Sequence, residues 1–344
     1  MKTTSSHNGY YISKNYRAYT SAASKAKIDC EEILQKNGYV NIGLPRTVRA
    51  NETYGFFRNL FSVLLAAIRL ERGAHLVLQY PLKKYYPFLC RVARWKRCTV
   101  ITIIHDLRSL RRKKVIIDKE MRDLNRSPLL IVHNEQMRAW LHEQGCRSRM
   151  IVLGIFDYLS DAEPLPHPFR RPLEIVFAGT FSYKRSCFPA KLDPDTPHFR
   201  LNMYGRPGDI DTIRDHPTVR YKGVFDADIL ISKIEGNFGL IWDGPEITTC
   251  AGGHGEYLLY NNPHKTSLYL RCHLPVIIWS RSALAPFIRE HRAGLLVDSL
   301  EELPGACATL TAAEYDAMQQ NTRIIAERLK TGYYLTEALA RARE

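Results

Sequence analysis

Residues 255–280, GEYLLYNNPHKTSLYLRCHLPVIIWS, read as a turn, a helix and a buried strand in immediate succession. Pro263 suits a first helical turn, where its missing N–H is one the helix start leaves unpaired, and Asn262 before it is a preferred N-cap. A helix is therefore expected over 264–272. The strand that follows, Leu274-Pro-Val-Ile-Ile-Trp279, is apolar on both faces, as strands of parallel sheets are.

Outward from this stretch the same alternation recurs. Further strands are expected at 173–178, 199–204, 218–223 and 238–242, with helices at 226–235, 283–291 and 311–330. Toward the N-terminus lie Tyr10-Tyr11-Ile12, Leu76–Tyr80, Thr99–Ile104 and Leu129–His133, separated by helical patterns at 57–72, 84–95, 115–125 and 135–145. Short β-branched runs alternating with helices predict parallel sheets covered by helices. Between the two series stands SDAEPLPHPFRRP (160–172), whose four prolines remove backbone donors and mark a linker. The expected fold class is α/β, two Rossmann-like domains facing across a cleft. Residues 1–158 would form the first, residues 159–324 the second, and a C-terminal helix over about 325–344 would pack back on the first.

No stretch reaches the roughly 18 apolar residues of a membrane span. The longest candidate, Leu60–Ile68, reads as a buried helix. The eight cysteines are scattered without a CxxC pair, which fits reduced thiols and a cytoplasmic protein. Charge is divided unevenly. Lys and Arg outnumber Asp and Glu by 28 to 12 over residues 1–158, against 21 to 23 over residues 159–344. A field of this kind attracts phosphates or anionic head groups. Nucleic acid is not expected as a partner, because no RRM, KH or zinc signature is present and aromatics do not interleave the basic run.

Three motifs carry chemistry. Ala178-Gly-Thr180-Phe-Ser182-Tyr-Lys184 follows the first strand of the second series; its glycine would admit backbone N–H groups to a phosphate, although an ordinary strand-to-helix turn reads the same way. Met203-Tyr204-Gly205 ends the next strand and offers a ring and an open backbone to a nucleobase. The third is Asp243-Gly-Pro-Glu246 with Gly252-Gly-His-Gly255 and Tyr260-Asn-Asn262-Pro-His-Lys265. A helix start presents unpaired N–H groups and partial positive charge, and Lys265 adds a full charge in the same turn. That is a diphosphate site assembled without metal. Cys250 and His254 have ligand-like spacing but no second half of a site, and Asp226-Ala-Asp228 more plausibly opens a helix than binds a metal. No GxGxxG or P-loop fingerprint is present.

The run 255–280, with Leu78-Gln-Tyr-Pro81, Ile104-His-Asp106, Val132-His-Asn134 and Phe238–Asp243, resembles bacterial GT-B glycosyltransferases of the β-1,6-galactofuranosyltransferase type and the streptococcal adhesin-modifying glucosyltransferase. The resemblance implies transfer of a hexosyl unit, such as galactofuranose or glucose, from a UDP-sugar to a hydroxyl of a glycan or lipid-linked acceptor in cell-surface polysaccharide synthesis. It implies that Asn262 and Lys265 hold the donor diphosphate, that Thr180, Tyr204 and Gly205 surround the uridine, and that Tyr260 lies near sugar or ribose. No cofactor beyond the UDP-sugar co-substrate and no metal are expected.

In the first domain, Ser13, Asn15 and Tyr16 are expected in the loop that faces the acceptor. Asp106, with His105 beside it, stands at the end of a strand where a base for the acceptor hydroxyl belongs; the alternative is an N-cap or a partner of Arg108. The basic set Arg91, Arg94, Lys96, Arg97, Arg111, Arg112, Lys113 and Lys114 suits a polyprenyl-diphosphate acceptor, with peripheral association at the anionic inner membrane face; solvated helix faces are the plain alternative. A homo-oligomer stays open. The competing functions are a non-catalytic sugar-nucleotide-binding subunit of a glycan assembly complex and a sugar-nucleotide epimerase using Asp243, Glu246 and Glu256.

Overall fold

The computed structural model describes residues 9–16, 22–112, 116–183 and 186–344. They form two α/β units, one running to Leu153 and completed by Tyr334–Glu344, the other Gly154–Tyr333. In the first, β1 (Gly9–Tyr11), β3 (Val40–Asn41), β5 (His75–Tyr80), β6 (Thr99–Ile104), β7 (Leu129–Val132) and β8 (Arg149–Val152) make a six-stranded sheet in the order β3-β1-β5-β6-β7-β8. Every pairing in it is parallel. A separate ribbon joins β2 (Asn15–Tyr16) to β4 (Thr47–Val48).

The second unit repeats the plan. Its strands β9 (Leu173–Ala178), β10 (Phe199–Tyr204), β11 (Val219–Gly223), β12 (Phe238–Ile241), β13 (Val276–Trp279) and β14 (Gly294–Val297) are parallel and ordered β11-β10-β9-β12-β13-β14. Central strands are buried on both faces, as their unbroken apolar runs require: Phe238–Ile241 and Val276–Trp279 are wholly inside. In each unit the strand order reverses beside the first strand. At such a switch point the loops after two neighbouring strands diverge and leave room for a ligand.

The division falls at Gly154, ahead of the proline-rich stretch, because residues 154–162 are tied to the helix His264–Arg271. Ser267 Oγ donates to Phe156 O at 2.6 Å, and Arg271 donates to Ser160 O and Ala162 O at 2.9 and 3.1 Å. At the other end, Arg341 donates to Val152 O at 2.8 Å and Asn37 to Thr336 Oγ1 at 2.9 Å, which ties the C-terminal segment to the first sheet.

Two local expectations need correction. The helix expected over 226–235 is a single turn, Ala227–Leu230, followed by further turns. Leu60–Ile68 lies in a helix, α2 (Glu52–Arg69), after α1 (Ala22–Lys36), but it is not a buried one. Its inner face consists of Gly55, Ser62, Val63 and Ala66, whereas Phe61, Leu64 and Ile68 are exposed. Small residues are needed on the inner side because Ser62 Oγ donates to Ser13 O at 2.9 Å and accepts from Leu44 N at 3.0 Å, drawing the helix against backbone.

Gly239 of β12 has a similar constraint. A Cβ there would stand 2.1 Å from Cγ of Tyr269, and that ring is fixed at its far end, where its hydroxyl accepts from Ala178 N at 2.6 Å. Gly239→Ala is expected to destabilise the second unit by about 1–3 kcal/mol, the usual cost of overpacking. Denaturant midpoints measure it, and a change below about 0.5 kcal/mol would mean that the ring relocates freely.

Candidate functional site

The loops after β9, β10 and β12 meet at the C-terminal edge of the second sheet. Backbone runs close to backbone there. Gly179 N donates to Tyr204 O at 2.7 Å, and Gly205, at φ +136°, could carry a Cβ only 2.6 Å from Gly179 O. Gly244, at φ +112°, is held as tightly against Ala251 O. Side chains are excluded at both positions, so the loops present main chain.

Lys265, in the first turn of the helix His264–Arg271, reaches this edge. Its ammonium lies 3.0 Å from Asp243 Oδ1, two residues beyond β12, and 4.5 Å from the ring centroid of Phe177 in β9. Those strands pair with each other at the switch point. The ammonium is thus fixed by a carboxylate and an aromatic face. The site also lies where a parallel sheet opens to a ligand.

Asn262 is buried and does not cap the helix. Pro263 occupies the cap position, and Asn262 Nδ2 donates instead to Gly154 O at 2.8 Å. His264 adds a contact to Asp157 O at 3.2 Å and stacks on Tyr158 at 5.0 Å. Asn262 therefore orients the helix start. Tyr204 is also placed otherwise than as a stacking ring: it is buried, its hydroxyl donates to Lys233 O at 3.2 Å and accepts from Glu235 N at 2.9 Å, and only its backbone lies at the edge. Thr180 is exposed, and its carbonyl accepts from Ser186 Oγ at 2.9 Å. Tyr260 is half-buried, beside an Asn261 whose side-chain oxygen is buried with no hydrogen-bond partner. Lys184 lies outside the described residues.

In the first unit, the ends of β5, β6 and β7 bring Gln79, His105, Asp106 and His133 together. His105 Nε2 meets Gln79 Oε1 at 2.7 Å, and Asp106 is ion-paired with Arg111. The partner is thus Arg111, not Arg108. A buried carboxylate sets this geometry: Glu120 accepts from Tyr80 Oη at 2.7 Å and from the backbone N–H groups of Arg108 and Ser109 at 2.8 Å, fixing the turn that carries Arg111. His133 is buried, and burial lowers its imidazole to about 4, so the ring near Asp106 is neutral at ordinary pH. Lys113 and Lys114 lie outside the described residues.

Ser13 and Tyr16 turn inward. Ser13 Oγ and Tyr16 Oη donate to the two oxygens of Glu31 in α1, at 2.8 and 2.5 Å. Asn15 braces the ribbon, accepting from Thr47 Oγ1 at 2.8 Å and donating to Arg49 O at 2.9 Å. Burial raises the Glu31 carboxyl to about 7 against the pull of those two hydroxyls, and burial with the like charges of Lys27 and Lys83 holds Lys14 well below its ordinary value. Ser13, Asn15 and Tyr16 thus make their side-chain hydrogen bonds within the first unit. Among the described residues no cluster of three or more His, Cys, Asp or Glu side chains has metal-binding geometry.

Residues 9–155 match the family described as glucosyltransferase 3-like, N-terminal domain, and residues 175–342 match its C-terminal domain. The chain belongs to the glucosyltransferase 3-like family. It is 33% identical over 275 residues to the β-1,6-galactofuranosyltransferase WbbI of Escherichia coli K12, covering 78% of this chain and 79% of that protein. To Glucosyltransferase 3 of Streptococcus gordonii it is 31% identical over 251 residues, covering 70% and 69%. Among solved structures, sucrose-phosphate synthase of Thermosynechococcus elongatus superposes with a TM-score of 0.61 at 14% identity, over 98% of each chain. HepE of Anabaena, in complex with UDP, gives 0.57 at 13% identity, over 98% of each.

The fold is GT-B and the protein is a glycosyltransferase. The sequence singled out Lys265 but not the two groups that hold its ammonium. Asp243 was read as a motif residue and as one carboxylate of the epimerase alternative, and Phe177 only as a strand residue. Glu31 and Glu120 carried no signal at all, since each stands among other carboxylates of its helix and only the tertiary fold surrounds it with donors.

Glu31 sets a pH dependence. Folding raises its carboxyl from an ordinary 4.5 to about 7, so the folded protein keeps a proton that the unfolded chain releases between those values. Its stabilisation is complete below about pH 4.5 and is lost as pH rises through about 7. Melting temperatures of wild type and Glu31→Gln are expected to diverge across that interval, with the wild type losing several degrees relative to the variant. Parallel curves would show that Glu31 does not titrate there.

Proposed function

We propose that this glycosyltransferase takes a hexosyl unit from a UDP-sugar, without metal, and adds it to a hydroxyl of a glycan or polyprenyl-diphosphate-linked acceptor in cell-surface polysaccharide synthesis, working as a peripheral protein at the cytoplasmic face of the membrane. One observation carries the donor side of this reading. The Lys265 ammonium is fixed by Asp243 at 3.0 Å, at the start of a helix and beside the glycine backbones that end β9 and β10. A diphosphate needs a cation, helix N–H groups and a main-chain surface without Cβ atoms, and the three occur together. HepE, of the same fold, is known in complex with UDP, which supports the donor class, and the names of WbbI and Glucosyltransferase 3, a galactofuranosyltransferase and a glucosyltransferase, support a hexosyl unit.

The diphosphate role belongs to Lys265, with Asn262 acting through the orientation of the helix. Thr180 and the backbones of Tyr204 and Gly205 would line the nucleoside, and Tyr260 with the unpaired oxygen of Asn261 would face hydroxyls of ribose or sugar. Asp106 is the proposed base. Arg111 holds its carboxylate, and His105, anchored on Gln79, fixes the backbone turn that carries it.

Two measurements test the reading. UDP is expected to raise the melting temperature, and Lys265→Ala to remove most of that shift; an equal shift in wild type and variant would reject Lys265 as the diphosphate ligand. Asp106→Asn is expected to lower turnover by about 100-fold or more while leaving the UDP shift intact. Turnover within about threefold of wild type would eliminate Asp106 as the base. Mass spectrometry of products from a panel of nucleotide sugars and lipid-linked acceptors identifies the transferred sugar.

A further inference from the structure

α2 has two apolar stripes, and only one is covered. Gly55, Ser62, Val63 and Ala66 face inward, while Phe57, Phe61, Leu64 and Ile68, at spacings of four, three and four residues, form an outer stripe. Phe57, Phe61 and Ile68 are 53%, 59% and 77% exposed. At 1.5 Å per residue the stripe runs about 16 Å along the helix. Phe56 is also exposed and packs edge-on against Phe57 at 5.3 Å, and a shallow groove continues the apolar surface to Leu44 and Tyr54. Scattered apolar residues need no explanation on a protein surface, but an aligned stripe of this length does.

Cations rim the stripe. Lys84 Nζ lies 4.9 Å over the Phe56 ring, Arg49 4.8 Å over Tyr54, and Arg58 lines the groove. At the far end Lys96 donates to Ile68 O and Leu70 O at 3.0 and 2.6 Å, Arg69 ends the helix, and Trp95 next to Lys96 is 75% exposed. Aromatic and aliphatic groups between lysines and arginines match a headgroup boundary: rings and chains enter the acyl edge while the cations meet phosphates.

We propose that the outer face of α2, with its rim of Arg49, Arg58, Lys84 and Lys96, docks the protein on an anionic lipid surface. A second copy is the less favoured occupant, because a two-fold interface would oppose this patch to itself and bring like charges together. An anionic bilayer satisfies both parts of the patch at once. The inference rests on the lipid-linked acceptor reading for its purpose, since such an acceptor is presented at that surface; its test does not depend on transfer.

The full chain is mixed with sedimentable vesicles of phosphatidylcholine alone, or with about a third phosphatidylglycerol, at low and high salt. The expected result is binding to the anionic vesicles, weakened by salt and by Lys84→Glu. The double variant Phe61→Ser with Ile68→Ser is expected to lower the partition coefficient by about tenfold or more. Its melting temperature and UDP shift should stay those of wild type, since both side chains are exposed. Three results overturn the inference: no binding by wild type, unchanged binding by the double variant, or dissociation of an oligomer by that variant without loss of vesicle binding. A normal UDP shift with no vesicle binding overturns this inference alone. Vesicle binding with no UDP shift supports it and overturns the donor reading.

Discussion

The second unit depends on the attachment of one helix to one strap of backbone. His264–Arg271 is held along residues 154–162 by side chains that donate to main-chain carbonyls: Asn262 to Gly154, Ser267 to Phe156, and Arg271 to both Ser160 and Ala162. Part-buried carbonyls of a strap with no sheet partner need donors, and these side chains supply them. The same bonds fix where the helix starts. Lys265 can therefore meet Asp243 and Phe177 at the switch point of the sheet without relying on its own flexible stem. A polar side chain expected at the ligand holds the scaffold here, and the charged one three residues further on meets Asp243 at the sheet edge.

Much of the architecture was legible because parallel strands buried on both faces leave an unmistakable sequence trace. Val276–Trp279 and Thr99–Ile104 could hardly be read otherwise. The site was legible only in part. Lys265 announces itself by standing just inside a helix start, a local feature. Asn262 announced the wrong role for a physical reason: an asparagine before Pro-x-Lys matches a cap locally, while its real acceptor, Gly154, lies more than a hundred residues away. Tyr204 failed similarly, since a strand-end tyrosine is equally suited to stack on a base or to satisfy the carbonyl of Lys233 and the amide of Glu235.

In the first unit the hidden element is a pair of buried carboxyl groups. Glu31 and Glu120 lie inside, each satisfied by hydroxyl or backbone donors from three or fewer neighbouring groups, and each organises a loop at the C-terminal edge of the sheet. A basic sequence half thus contains two internal carboxylates whose partners are mostly neutral. Lys25 is buried with Asp29, while other cations of this half rim the exposed outer stripe of α2.

The return of Tyr334–Glu344 to the first unit has a consequence for how the molecule is made. Asn37 and Val152 find partners in Thr336 and Arg341 only after all of Gly154–Tyr333 has been synthesised. The unit translated first is completed last. Until then those two residues of the first unit lack these partners, whereas the second unit, a single continuous stretch, has been synthesised in full before the segment that completes the first.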